Sequence, residues 1–352
     1  MKNWKKVKRI FIALVGLLLI LFIVGLVYEK IARSSALEEF PPPGRMVSVG
    51  THKLHLDCRG TQKDGYPTII LESGMDPWGS ISWTLVHDSL AKITKVCAYD
   101  KAGIGWSEIG PKPRVGETIA DELHELLARS GEEGPFVIVA WSMGGPYVRI
   151  FAKKYFNEIA GIVLVDSTHP EQFERLTPIE MQLPPEFIIK MVPWLRKVGI
   201  MRNIMKEELT INALPDDKQE ALYKVSAGSI STVINEYSNM TKSLEQDKEL
   251  KTLGDLPLIV LGVGDPIDAS RIPNIDQETL NKEHKMWLEM QSELTQLSTR
   301  GELITVPESG HAIHLDKPDS VISAVVRILE IIKEDNSSNP EGLKTVIGEE
   351  TN

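Results

Sequence analysis

The chain has 352 residues, of which 42% are hydrophobic and 25% charged, a composition that allows a sizeable core and excludes a small stapled module. Its formal net charge of -10 argues against a nucleic-acid partner, because phosphate binding needs Lys and Arg concentrated on one face. It has no C-x-x-C pair, no His/Cys cluster at metal-ligand spacing and no glycine-rich phosphate loop, so neither a metal nor an organic cofactor is implied.

The N-terminus departs from the globular pattern. Residues 1–9, MKNWKKVKR, carry five positive charges and no acid, and the uncharged apolar run of 19 residues from Ile10 to Tyr28 follows. As a helix this run spans roughly 28 Å, close to the hydrocarbon thickness of a bilayer. Trp4 and Tyr28 stand near its ends, where amphipathic rings prefer the interface. The expected arrangement is a single-pass signal anchor in the cell membrane, with the basic segment cytoplasmic and the rest extracytoplasmic. A cleaved signal peptide is the competing reading; ARSSA (32–36) could supply the small residues, but the run exceeds the usual apolar length of about 7–15 residues. Residues 29–44 are expected to be a linker, stiffened by EEFPPPG (38–44).

From residue 45 strands alternate with helices. RMVSV and HKLHLDC flank a Gly-Thr turn, followed by the strands PTIILES (67–73), KVCAYD (95–100), PFVIVAWS (135–142), AGIVLVDS (160–167), LPLIVLGVG (256–264) and GELITVP (301–307). Most are continuous apolar runs, as in strands covered on both faces of a parallel sheet. TIADELHELLARSG predicts a helix capped by Thr118 and closed by Gly131, PYVRIFAKKYF a second, and DSVISAVVRILEIIKE an amphipathic helix near the end. Together these predict one α/β core over 45–167 and 253–334. Residues 168–252 break the alternation. They contain no convincing strand, five of the eleven methionines and Pro178, Pro184, Pro185, Pro193 and Pro215. This segment reads as a helical insertion between strands 6 and 7, packed on the core as a lid whose Met side chains line a pocket. Residues 335–352 are polar and acidic without periodicity, the pattern of a disordered tail.

VIVAWSMGGPY (137–147) runs a strand into Ser142 and a helix out of it. A serine hydroxyl needs a base, a group orienting that base, and donors for developing oxyanion charge. A tight strand–helix turn exposes the hydroxyl and places the next N–H at a helix N-terminus. The small residues this requires on either side are Ala140 and Gly144, so the form is A-x-S-x-G. His311, in a loop after the last strand, is the candidate base, with His314 its competitor. The candidate acids stand at strand ends: Asp265 first, Asp166 and Asp268 as alternatives. Glycine in LESGMDPW lets the Met75 N–H join that of Met143 as oxyanion donors.

The order Ser142, Asp265, His311 with a helical insertion before the acid resembles the α/β-hydrolase superfamily. YDKAGIGWS (99–107) is similar to its Y-D-x-x-G-x-G-x-S loop and SGHAIHLDKPDSV to its Gly-His block around the catalytic histidine. The resemblance covers residues 45–333 and implies an eight-stranded, mostly parallel sheet, a cap domain and Ser-His-Asp chemistry on a small-molecule acyl substrate. It differs in having Ser73-Gly74 where many members have His-Gly, and Ala140 where the elbow usually has glycine. Serine rather than aspartate as nucleophile disfavours dehalogenase and epoxide hydrolase chemistry. In that fold strands 2 and 4 are neighbours, which implies a Cys58–Cys97 disulfide if the domain is extracytoplasmic. The leading expectation is a membrane-anchored serine esterase. The alternatives are a non-catalytic binding module of the same fold and an acyltransferase or peptidase using the same triad.

Overall fold

The computed structural model describes residues 2–63, 65–176, 186–204, 210–271 and 275–338. Eight strands form one sheet: β1 (Arg45–Ser48), β2 (Lys53–Arg59), β3 (Ile69–Glu72), β4 (Val96–Asp100), β5 (Phe136–Trp141), β6 (Ile159–Val165), β7 (Leu258–Val263) and β8 (Gly301–Val306). Their order is β1-β2-β4-β3-β5-β6-β7-β8. The β1–β2 and β2–β4 pairs are antiparallel and all others parallel. Each predicted strand run is present with its ends moved by at most two residues, and β3 to β7 are buried almost throughout.

Helices cover both faces, as continuous apolar strands require. On one side α3 (Gly116–Ser130) and α4 (Gly144–Lys154) bury Leu123, Leu126, Leu127, Val148 and Phe151. Behind them, the strands contribute Ile138, Ala140, Ile162 and Leu164. On the other, α2 (Thr84–Leu90) and α13 (Pro318–Ser338) bury Val86, Leu90, Val321, Val325 and Leu329. α11 (Gln277–Thr295) packs beside β7 and β8, and the short α12 (Ile313–Asp316) precedes α13.

Between β6 and β7 lies the helical insertion: α5 (Gln172–Arg175), α6 (Glu186–Lys197), α7 (Ile200–Ile204), α8 (Asp216–Ser226), α9 (Ile230–Ser238) and α10 (Met240–Asp247). Pro178, Pro184 and Pro185 lie outside the described residues. The insertion is joined to the core by polar contacts. Arg149 of α4 pairs with Asp247 of α10, both buried, with Nε donating to Oδ1 at 2.8 Å. The Gly116 and Glu117 N–H groups of α3 donate to Ser243 Oγ at 3.0 Å and Gln246 Oε1 at 3.1 Å. This corrects the expected Thr118 cap: α3 starts two residues earlier, and the insertion takes its first free N–H groups. Gly131 closes α3 in the left-handed region, at φ 71°.

The N-terminal helix α1 runs from Lys2 to Glu39, 38 residues. It is long and apolar enough to cross a membrane, with a window of mean hydropathy 3.3 in which no residue is buried. Residues 29–39, expected within a linker, are instead its last three turns. Arg33 donates to the carbonyls of Gly105, at 3.0 Å, and Val225, while Ala36 is buried. Leu37 and Phe40 pack on Ile81, Trp106 and Leu222. Helix-forming residues with partners on the insertion thus carry the helix to the prolines. At the other end α13 reaches Ser338, taking in the first four residues of the expected tail, and the remainder of that tail lies outside the described residues.

Cys58 and Cys97 stand directly opposite in the β2–β4 pair and are joined by a disulfide. Closing a loop with sequence separation 39 constrains the unfolded chain. In the chain-entropy model the Cys58→Ala, Cys97→Ala double variant loses about 4 kcal/mol, read as a lower urea midpoint with a steeper slope, because the uncrosslinked chain exposes more surface on unfolding. A second sensitivity comes from His314, packed between Trp83 and Trp141 with no partner for either ring nitrogen. Burial, helped by the nearby His311, depresses its pKa to about 3. The fold therefore keeps His314 neutral where the unfolded chain protonates it, so stability is full above pH 6.5 and falls as the pH drops toward 3. The expected loss is about 1.4 kcal/mol per pH unit, or about 2 kcal/mol between pH 6.5 and 5. Comparing urea midpoints at these pH values, His314→Phe should flatten the dependence by that amount.

Candidate active site

At the C-terminal edge of the sheet, β5 ends on Ser142, which occupies the left-handed region at φ 54°. Asp166, the residue after β6, does the same at φ 43°. The two exits are tied together. Ser142 N–H donates to the Val165 carbonyl and Thr168 N–H to the Ser142 carbonyl, each at 3.1 Å. The glycines after the serine make this approach possible. A Cβ on Gly144 would lie 2.9 Å from the Glu72 carbonyl oxygen, and one on Gly145 would collide with the Ser167 side chain. Ala140 is fully buried in the sheet between Glu72 of β3 and Leu164 of β6, where its single methyl fits.

His311 reaches over from the loop after β8. Ser142 Oγ donates to His311 Nε2 at 2.9 Å, and His311 Nδ1 donates to Asp166 Oδ2 at 2.6 Å. The Asp166 carboxylate is buried, while the histidine ring is half-exposed. Its second oxygen, Oδ1, accepts from the Trp287 indole at 2.7 Å and more weakly from Val263 N–H at 3.3 Å. The His311 backbone carbonyl accepts from the Trp141 indole at 2.8 Å, which fixes the loop.

The structure brings together Ser142, His311 and Asp166, but not Asp265. Asp265 lies exposed, two residues beyond β7, and accepts from the Glu308 backbone N–H at 2.7 Å. This corrects the first choice of acid. Gly264 carries the chain past the end of β7 before Asp265, whereas Asp166 follows its last strand residue at once and turns sharply back. Asp268 is exposed too, accepting from Ser270 N–H at 2.9 Å. His314 is enclosed by aromatic rings and does not face Ser142 through any hydrogen bond.

Gly74 abuts the serine: a Cβ on it would sit 3.0 Å from Ser142 Cβ. Lys101, buried after β4, donates to the carbonyls of Ser73, at 3.1 Å, and Gly74. Because the peptide is planar and trans, holding the Gly74 carbonyl on Lys101 turns the Met75 N–H the opposite way. Among the described residues no protein group accepts from the Met75 or Met143 N–H. Lys101 lies 3.9 Å from Glu72 Oε1 and 3.7 Å from Glu236 Oε2, the latter on α9 of the insertion. Burial raises the Glu72 carboxyl to about 7 and the Asp76 carboxyl to about 6, with Lys101 opposing both shifts. Sequence reading missed Lys101, Glu236, Trp141 and Trp287 as residues around the site. Lys101 did leave a trace, as the charged residue inside the YDKAGIGWS loop.

Ile119, Met143, Tyr147, Met240 and Leu244 form a buried apolar cluster shared by core and insertion, with Met75 and Tyr237 packed against it. Metal-ligand donors converge, among the described residues, at Cys58, Cys97 and Glu132, whose two sulfurs are already consumed by the disulfide.

The sequence pattern of the alpha/beta hydrolase family matches residues 70–324. An uncharacterised protein of Schizosaccharomyces pombe is 30% identical over 187 residues, which cover 46% of this chain and 34% of that protein. Only about a third of that relative's length is therefore represented here. A thermophilic esterase from Thermogutta terrifontis superposes with a TM-score of 0.57 at 20% identity, covering 82% of this chain and 98% of that one. A putative epoxide hydrolase from Pseudomonas aeruginosa gives 0.62 at 14% identity, covering 84% and 98%. At such identities these structures speak to the fold, and the family pattern extends over most of the sequence. The chain belongs to the alpha/beta hydrolase family.

Proposed function

We propose that this protein is a membrane-anchored serine hydrolase that cleaves carboxylic esters or related acyl compounds. The observation that carries the reading is the unbroken hydrogen-bond chain from Ser142 through His311 to Asp166. His311 Nε2 takes the hydroxyl proton as Ser142 Oγ bonds to the acyl carbon. Asp166 holds the imidazole in the required tautomer and stabilises the imidazolium. The Trp287 indole on its other oxygen keeps the carboxylate facing the ring. The N–H groups of Met143 and Met75 stabilise the oxyanion, with Lys101 positioning the second by holding the Gly74 carbonyl. Collapse of the tetrahedral species breaks the bond to the alcohol, which leaves with the proton from His311. Water, deprotonated by the same nitrogen, then frees the acid.

Within the apolar cluster shared by core and insertion, Met75 and Tyr237 are only partly buried, which suits contact with the acyl portion of such a substrate. Helices α5–α10 act as the cap over the core formed by 45–167 and 253–334. The basic segment 1–9 lies on the cytoplasmic side of the anchor and the catalytic domain outside. The disulfide supports this topology, since such bonds persist in oxidising compartments.

A fluorophosphonate probe applied to the full chain in detergent micelles should label the protein, and Ser142→Ala should abolish the label. Labelling that survives in that variant would reject the nucleophile. On a panel of esters of graded chain length, Asp166→Asn should lower kcat by on the order of 10⁴-fold through loss of the correct tautomer. Asp265→Asn should stay within about twofold of the parent, as for an exposed substitution remote from the reacting groups. The opposite ranking would return the role to Asp265. Probe labelling without turnover of any ester would point to acyl transfer or peptide cleavage.

A further inference from the structure

The insertion is fastened to the N-terminal helix. Arg202 of α7 donates to both carboxylate oxygens of Glu29, from Nε at 2.6 Å and Nη2 at 2.9 Å. Both side chains are largely buried. A Cβ on Gly25 would lie 2.6 Å from Val198 Cβ, and one on Gly199 would meet the Tyr28 ring at 2.6 Å. Farther along, the rings of Phe22 and Trp194 approach with centroids 6.3 Å apart. The α6–α7 hairpin thus runs beside the last two turns of the apolar run.

The outward side of this hairpin is rich in large apolar residues, with Lys190 and Asn203 exposed among them. Phe187, Met191 and Trp194 of α6 are exposed at helical spacing, and Ile200 and Ile204 of α7 continue the patch. Val192 and Met201 are buried on the opposite side, so both sides of the hairpin are apolar. A hairpin facing water on one side would carry mostly polar residues there, whereas here five large apolar side chains outnumber them. Its guanidinium groups turn inward instead: Arg202 to Glu29, and Arg196 against the backbone of Gly228. Lys197 lies over the Trp194 ring, 4.7 Å from its centroid.

We infer that this face of α6 and α7 is immersed in the interfacial layer of the bilayer that α1 enters, an inference resting on the reading of α1 as a membrane span. Position along α1 supplies the depth. Phe22 lies six residues inside Tyr28, about 9 Å along the helix axis. Trp194 touches α1 at that level, within the roughly 5–10 Å to which in-plane amphipathic helices sink. The apolar patch is continuous with the exposed apolar surface of α1, so one solvent covers both. Lys197 over Trp194 gives a cation at headgroup level above a ring that enters the apolar layer.

Depth-dependent quenching tests this. Both native cysteines are in the disulfide, so an introduced cysteine is the sole free thiol. Met191→Cys and Ile204→Cys, with Leu18→Cys in α1 and the exposed Lys282→Cys on α11 as controls, would be labelled with bimane in the full chain. The variants would be reconstituted in phosphatidylcholine–phosphatidylglycerol nanodiscs containing lipid spin-labelled near the headgroup end of its acyl chain or near its terminus. Positions 191 and 204 should lose most of their fluorescence to the shallow label, position 18 to the deep one, and position 282 should lose none. Quenching at 18 with 191 and 204 sensitive only to aqueous iodide would overturn the inference while leaving the anchor standing. Absence of quenching at 18 would reject the anchor and this inference together. Neither outcome touches the serine hydrolase reading, because catalysis is not measured.

Discussion

The left-handed backbone of Ser142 is the constraint on which the sheet edge depends. Such a conformation costs a non-glycine residue roughly 1–2 kcal/mol and persists only where its surroundings over-determine it. Here the neighbouring strand provides that determination. The Val165 carbonyl takes the serine N–H, Thr168 N–H returns to the serine carbonyl, and Asp166 makes its own left-handed turn alongside. Two strained exits stabilise one another, and the result is a hydroxyl and a carboxylate on opposite flanks of the same histidine. The glycines at 144 and 145 follow from this closeness, since side chains there would strike Glu72 and Ser167.

A second layer of organisation lies beneath that edge. Lys101, Glu72, Asp76 and Glu236 are all buried, a costly arrangement unless charges and hydrogen bonds are matched. Lys101 serves two carboxylates and two carbonyls of the loop beside Ser142. Glu236 belongs to the insertion, so the insertion contributes a charge to the core and is more than a cover resting on it. Uptake of a proton by Glu72, whose carboxyl titrates near neutrality at about 7, would weaken the hold on Lys101 and hence on this loop.

Much of this was legible in the sequence. The central strands β3 to β7 were visible because strands buried on both faces are written as unbroken apolar runs, and the order of the strands along the chain places Ser142 and His311 at one edge. The choice between Asp166 and Asp265 was not legible. Both follow apolar runs, and the difference is whether the chain turns at the strand end or overshoots it by two residues. The Thr118 cap misled because its local pattern is sound, yet the first N–H groups of α3 are taken by Ser243 and Gln246, far away in sequence. The extension of α1 through residue 39 was hidden by the proline run, which does stop the helix but only after Arg33 and Ala36 have found partners on the folded domain.

The fastening of α1 to the insertion has a consequence for where the polypeptide can be shortened. Trimming the hydrophobic leader at Tyr28 would keep every residue around Ser142 and look conservative. It would nonetheless strip Val198, Gly199 and Trp194 of the surface they rest on and leave Glu29 at a frayed chain end. Arg202 would then be a semi-buried cation with an unreliable counter-charge. A water-soluble derivative is better sought by exchanging the outward apolar residues of the first five turns for polar ones, so that the helix persists as a splint for the insertion.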